Sequence, residues 1–425
     1  MAIKENSKEI EGSKENLTSH NCDLNINGLT KEKLLLKNIK VIAEEYIELE
    51  KVKNKFAHIV LKNQDLLDFS EFIQSPRFSI KESYLIKKGF SANIRGLNVV
   101  SVDGSSVSKK FMNVDFSFLK AIAVKYYFKK NDEAKITFFP DLSGYNNYFV
   151  QANFINHNEA SLEAKISMDM TFMEINLLNL MIESSSEIDM IIIDGSIVIM
   201  PINLIFSRDA EISKKYDELL REYQKLYSNC KEKGIILIGS IKDTRTSALS
   251  HFLRDSIQLL KPGYTRLEDF IKINYRTIIE YFSDIDLFNR LLMKSERSCI
   301  FNCKREIDKI RDTGIKKEIP FYFPFSFYAF YLKTAEFDTP CRIEFFLDED
   351  ETLTRASERA DLITSILLPI SSLNKHYGLP IPQIEAHRRA VFKPKEIELL
   401  FNNLARNLTK HGVKLLEKRR NRRPF

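Results

Sequence analysis

The spacing of apolar positions along the chain changes several times, and each change predicts an element. From Leu34 to Leu67 apolar residues recur at helical spacing with charges between them, which predicts an amphipathic helix or helical hairpin. Leu97 to Val102 (LNVVSV) is instead a β-type run, entered through Gly96 and expected to stop at Asp103-Gly104-Ser105-Ser106. Runs at Phe118 to Phe128 and Ile136 to Phe139 predict two further strands. Helical periodicity returns from Ser161 to Glu183. The continuous apolar run Ile188 to Ile193 behind it predicts a central buried strand that ends at Asp194-Gly195-Ser196. A charged helix, Ala210 to Lys233, then leads into a second buried strand, Gly234 to Ile241. Strands alternating with helices in this way predict an α/β core.

The pattern from about Ser247 to Lys317 is mostly helical and charged, as expected of an insertion or a second layer on that core. The aromatic segment Phe321 to Leu332 and the run Cys341 to Leu347 predict paired strands, with the aromatic side chains in a core or a subunit interface. Two helices are expected to finish the fold, Arg355 to Ser372 and one built from Glu385 onward and Pro394 to His411. The chain ends in KRRNRRPF, and no internal repeat of solenoid period is present.

At 425 residues, 44% hydrophobic and 29% charged, the chain has the composition of two or three globular units, which excludes wholesale disorder and collagen-like structure. The net charge of +6 permits an anionic partner without requiring one. Five scattered cysteines make no disulfide framework and suit a reducing compartment. Met1 to Thr30 has no apolar signal region and reads as a loose tail. The longest apolar stretch, Met190 to Phe206, is broken by Asp194, Pro201 and Asn203, so a soluble intracellular protein with no membrane partner is expected.

Candidate chemistry centres on the two Asp-Gly-Ser triplets, 103 to 105 and 194 to 196. Each is expected at the carboxyl end of a buried strand, where sites form in α/β sheets, and two such carboxylates can share a divalent metal. Either triplet alone is also good turn chemistry. Glu174 is a third candidate, an acid among Phe172, Met173, Ile175 and Leu177 that burial would penalise without a partner. Three close carboxylates call for a bound Mg²⁺ or Mn²⁺, and such clusters act on phosphodiesters. Lys242, with Arg245 beside it, stands at a comparable strand end and suits a substrate phosphate, although a solvated loop explains it equally well. His387, flanked by Arg388 and Arg389, suits a ligand or proton donor near phosphate. The terminal Lys418, Arg419, Arg420, Arg422 and Arg423 can track a nucleic-acid backbone, and the aromatic segment can stack on bases.

The ordered set VVSVDGSS (99 to 106), the Glu174 helix with MIIIDGS (190 to 196), GIILIGSIKDTR (234 to 245), RIEFF (342 to 346) and LPIPQIEAHRRA (379 to 390) resembles the NurA family of DNA-end-processing nucleases, over about residues 90 to 395. The resemblance implies an α/β fold with a ribonuclease-H-like mixed-sheet core flanked by helices. With the family-like stretch taken as the nuclease domain (91–412), the chain is expected to divide into a disordered tail (1–30), a helical N-terminal region (31–90), that domain with a helical insertion at about 247–317, and a basic tail (413–425), the N-terminal region and the insertion being poorly matched by the resemblance. It implies a Mn²⁺-dependent nuclease, with Mg²⁺ as the other ion considered and two ions expected. The implied activities are 5′–3′ exonuclease and single-strand endonuclease. The implied setting is resection of double-strand breaks for recombination in a prokaryotic cytoplasm, associated with the nucleoid, as a homodimer partnered by a HerA-type hexameric ATPase. By position, Asp103 and Asp194 match the metal-binding aspartates, Glu174 the intervening acid and His387 the late histidine, while Lys242 falls at a basic position. Where the family has Tyr opening the segment that ends in Ala-His, this chain has Leu379, with Tyr377 two residues earlier.

Other classes fit part of the pattern. Asp-Gly-Ser after a strand also resembles the phosphate loops of actin-like ATPases, but 13 glycines with no Gly-rich adenosine site weigh against that. A catalytically idle DNA-binding or scaffold subunit needs only the basic tail and the aromatic segment, and the retained acids and His387 weigh against it.

Overall fold

The β-branched runs and the helical segments between them assemble into one mixed sheet. The computed structural model describes residues 31–75, 78–112, 114–129, 133–141, 148–154, 159–184, 187–199, 210–260, 267–303, 325–348 and 351–416. The expected N-terminal tail, Phe321 to Pro324 and the basic cluster Lys418 to Arg423 lie outside these residues.

The chain divides into two units, one through Lys55 and one from Phe56 onward. The described part of the first belongs to helix α1 (Lys31–Lys62), on which Leu35, Ile39, Ile42 and Tyr46 are exposed. In the second unit, Phe56 and Val60 near the end of α1 are fully buried. There follow β1 (Ile86–Lys88), β2 (Asn98–Lys110), β3 (Asp115–Phe128), β4 (Ala134–Phe139) and β5 (Tyr148–Asn153). Next come α2 (Glu159–Ser184), β6 (Met190–Asp194), α3 (Ala210–Glu232) and β7 (Ile236–Ile241). Among the described residues of the expected insertion stand four α-helices: α4 (Ala248–Ser256), α5 (Leu267–Lys272), α6 (Tyr275–Ile279) and α7 (Asp284–Leu291). Its last described residues depart from the helical expectation, forming β8 (Glu296–Ser298) and β9 (Phe301–Asn302), because the β10 edge offers them unpaired backbone. The chain continues through β10 (Phe325–Lys333), β11 (Cys341–Asp348), α8 (Leu353–Ser371), α9 (Ile381–Ala390) and α10 (Pro394–Lys410). Three helices thus close the fold where two are expected. Val391 and Phe392 separate α9 from α10, which restarts at Pro394 in its first turn, where a missing N–H costs nothing.

The strand order is β1-β8-β10-β11-β7-β6-β2-β3-β4, with β5 on β3 and β9 on β10. The nucleus is the antiparallel meander β2-β3-β4, followed by β6 parallel to β2 and β7 parallel to β6. The parallel strands are buried on both faces, as their continuous apolar runs require. Side chains alternate across the sheet. Val100, Val102, Ile191 and Ile193 point to the layer built from α2 and α3, with Ile175, Leu178, Leu219 and Tyr223. Val99, Met190 and Ile192 point to the other layer, with Ala360, Ile363 and Leu367 of α8. The helix α9 lies on that second side as well, its Ala386 against Val124 and Tyr126 of β3.

Candidate active site

One expectation is overturned at β2: Asp103-Gly104-Ser105-Ser106 does not stop the strand, which runs on to Lys110. The reason is β3, which pairs with β2 residue by residue from Asn98↔Tyr127 to Lys110↔Asp115 and keeps the backbone extended. What ends at Val102 is the parallel pairing with β6, whose pairs run from Val99↔Met190 to Val102↔Ile193. Every one of these pairs differs by 91 in residue number, and so do Asp103 and Asp194. The two aspartates are therefore the next rung of the same ladder, on neighbouring strands about 4.8 Å apart and on the α8–α9 side of the sheet.

Third to arrive is His387, carried by α9. Its Nδ1 lies 2.7 Å from Asp103 Oδ2, and the imidazole is 56% exposed while the Asp103 side chain is 12% exposed. Ligand atoms of Asp103, Asp194 and His387 all lie within 4.8 Å of one another. Lys242, just past β7, donates from Nζ to Asp194 Oδ2 at 2.6 Å. This follows from register, since Asp194 pairs with Ser240 and a residue two further along returns to the same face.

Glu174 comes from the opposite layer. Gly104 points toward α2, and a Cβ built there would lie 2.4 Å from Glu174 Oε1, so the missing side chain is what admits the carboxylate. Glu174 is buried, and burial first, then the charges of Asp103 and Asp194, push its pKa up to about 8. Asp103 is also raised, by burial and by the Asp194 charge, against the opposing hydrogen bond of His387. Burial lowers Lys242, yet its hydrogen bond to Asp194 leaves it raised on balance. The site therefore holds more negative charge than Lys242 balances, in a donor set of carboxylates and one imidazole. That chemistry fits a hard or borderline divalent cation.

The other expected residues are spread more widely. Arg245 is exposed on the loop beyond Lys242. Arg388 is exposed and bonded to Glu385, which also accepts from Arg389. Leu379 is buried, whereas Tyr377 is 44% exposed. The aromatic strand is core: Phe327, Tyr328, Phe330 and Tyr331 are all buried.

Sequence reasoning missed the support beneath Asp194. Glu344 on β11 accepts from Ser196 Oγ at 2.6 Å and from the Ile197 N–H at 3.2 Å. Its other oxygen accepts from Arg342 Nε at 2.9 Å, and both side chains are nearly fully buried. Two charges alternating through RIEFFL were the available signal, since a buried strand retains charges only when they are paired.

A family model described as the NurA domain matches residues 97–392. No curated protein matches the sequence. The NurA nuclease of Sulfolobus solfataricus aligns with a TM-score of 0.51 and 16% identity, covering 90% of this chain and 98% of that one, which supports the shared fold. A structure of NurA bound to dAMP and manganese aligns at 13% identity over 88% and 98% of the two chains, with a TM-score of 0.40 that adds nothing to the fold assignment.

Proposed function

The chain belongs to the NurA family of nucleases, and from that premise we propose that it is a Mn²⁺-dependent deoxyribonuclease that hydrolyses phosphodiester bonds at DNA ends. The observation that carries this reading is the in-register pair Asp103 and Asp194 with His387, all presenting ligand atoms within 4.8 Å. Asp103, Asp194 and His387 would hold the metal, with Glu174, which approaches from the other layer and is not among these grouped ligand atoms, as the expected further acid and two ions as the expected stoichiometry. When bound, a divalent cation there supplies Lewis-acid stabilisation of the charge that develops at a phosphodiester.

The remaining chemistry belongs to the chain's own groups. Asp103 orients the His387 ring through Nδ1, leaving a half-exposed imidazole whose other nitrogen serves either as the metal ligand or as a proton donor to a leaving group, not as both. Lys242 stands beside Asp194, where it can draw a phosphate toward the cluster, and Arg245 and Arg388 extend positive charge away from it. We assign Arg419, Arg420, Arg422 and Arg423 to the DNA backbone, and residues 91–412 to the nuclease domain. In the same reading the activities are 5′–3′ exonuclease and single-strand endonuclease, serving end resection in double-strand-break repair. The protein would act as a cytoplasmic, nucleoid-associated homodimer with a HerA-type hexameric ATPase. A meander followed by two parallel strands supports the ribonuclease-H-like description of the core.

The test is degradation of 5′- and 3′-labelled duplex and single-stranded DNA with Mn²⁺, Mg²⁺ or EDTA, alongside Asp103→Asn. Metal-dependent cleavage that the substitution removes is expected, and the labels report polarity. Tight DNA binding without cleavage, even after adding the translocase, would favour the scaffold alternative.

A further inference from the structure

At the carboxyl end of β7, the neighbouring strand β11 begins. Arg342 pairs with Ile241, which brings the start of β11 and the 334–340 turn before it to the strand end that carries Lys242. A second loop, 372–378, joins it. The Phe337 N–H donates to the Lys375 carbonyl at 2.9 Å, the Gly378 N–H to Asp338 Oδ2 at 2.6 Å, and Thr334 Oγ1 to the Gly378 carbonyl at 2.5 Å. Within the second loop the His376 N–H donates to Asn374 Oδ1, and Asn374 bridges to Tyr377. An ionised Tyr377 would raise Lys242, so the two side chains are neighbours and this loop lies on the Lys242 side.

On this tied pair of loops the rings of Phe337 and His376 are stacked, 5.1 Å between centroids and 22° between planes. Phe337 is nonetheless 62% exposed, and His376 and Lys375 are exposed as well. Rings buried in a core bring a hydrophobic gain, but a stack held open to solvent on hydrogen-bonded loops brings little. Such a stack has a free π-face, and every nucleobase has one to match. Phe337 and His376 hold this stack on the loops at the Lys242 end of the sheet, and the exposed Lys375 of the second loop can meet a phosphate.

We propose that the Phe337–His376 stack is a base-stacking platform that holds an unpaired nucleotide of single-stranded DNA beside the scissile phosphate. The proposal rests on the nuclease reading and adds the substrate contact that feeds the site. It implies a preference for ends with a frayed or single-stranded terminus, because a nucleotide paired and stacked in a duplex cannot swing onto the platform until it is freed.

The experiment uses the full-length protein with fluorescent single-stranded oligonucleotides in EDTA, where binding is read without cleavage, and then with Mn²⁺. Each oligonucleotide carries one abasic nucleotide, moved stepwise along the strand. The wild-type protein should lose about tenfold in affinity when the abasic position meets the platform, as removal of one base–aromatic stack does. Phe337→Ala with His376→Ala should bind the intact strand about tenfold more weakly and become indifferent to where the abasic nucleotide sits. Phe337→Tyr should restore both values. In Mn²⁺ the double variant should raise KM with kcat nearly unchanged. Equal affinity of wild-type and double variant for the intact strand, or an abasic effect that survives in the variant, overturns the platform. Failure of the nuclease reading looks different, since the wild-type protein itself would then cleave nothing in Mn²⁺.

Discussion

Asp103-Gly104-Ser105 and Asp194-Gly195-Ser196 share a sequence and have opposite backbones. The first continues a strand, with Asp103 opposite Ile122 and Gly104 opposite Ala121. The second ends a strand, and Gly195 adopts φ +133° with open space where a side chain would be. Glycine is required in both, for different reasons: at 104 to let Glu174 approach from the other layer, at 195 to let the backbone turn. The partner strand decides which. Asp103 sits in a long hairpin that holds it extended, whereas Asp194 has β2 and β7 beside it but no hairpin beyond, and Glu344 instead secures the loop that follows. A local triplet therefore encodes neither a turn nor a site, and the register between strands makes it one.

The comparison breaks first at the carboxylates. Asp103→Asn and Asp194→Asn should each reduce Mn²⁺-dependent cleavage by more than about a hundredfold, the upper range for groups that only support a metal ligand. Thermal stability without metal should hold or rise for Asp103→Asn, which removes repulsion from a crowded acidic site, and should change little for Asp194→Asn, which removes that repulsion together with the Lys242 ion pair. Activity and melting temperature measured on the same preparations check both halves. A stable, active variant at either position would remove that aspartate from the site.

The opening at Gly104 brings with it a pH effect. Glu174 is raised to about 8 by burial and neighbouring charge, so the folded, metal-free protein keeps a proton that the unfolded chain releases above its ordinary value near 4.5. Stability is then full at low pH and is lost as pH rises toward 8, by about a few kcal/mol, and Asp103 adds in the same direction. Denaturant unfolding in EDTA across this range should show that slope, and Glu174→Gln should flatten most of it. A flat wild-type profile contradicts the buried, crowded acid.

Substituting the glycines sharpens the contrast. Gly104→Ala and Gly195→Ala should each cost about 1–3 kcal/mol, the first from overpacking and the second from backbone strain. Shortening the acid with Glu174→Asp should recover part of the Gly104→Ala loss and none of the Gly195→Ala loss. Equal rescue, or none, in a double-mutant cycle would mean that the two glycines do the same thing. The smallest effect is expected at Ser196→Ala, which removes one hydrogen bond from Glu344 and costs about 1 kcal/mol, with a several-fold weaker apparent Mn²⁺ affinity. Unchanged metal affinity would make the Glu344 contact structural only.

Much of this fold was legible because period and burial agree. The runs at Ile188 to Ile193 and Gly234 to Ile241 are strands sealed on both faces, and the described helix between them carries its apolar stripe as expected. Asp103 and Asp194 stood out as twin triplets behind buried runs, Glu174 as an acid among apolar neighbours, Lys242 at a strand end and His387 beside two arginines. Their arrangement was not, since whether Asp103 ends a strand depends on pairing with β3, and no local signal carries that. Arg342 and Glu344 were visible as charges in an apolar strand, but their task depends on a loop 148 residues away in sequence. Strands β8 and β9 escaped for a related reason, being too short for a period and extended only because an edge was there to pair with.

Crystals of the full-length protein soaked in Mn²⁺ and measured at the manganese absorption edge test the central claim most directly. The account predicts an anomalous peak within about 2.0–2.3 Å of oxygens from both Asp103 and Asp194, with the His387 ring turned toward it and no such peak in Asp103→Asn. A peak elsewhere, or one that survives the substitution, would contradict a metal site built on the register of these two strands.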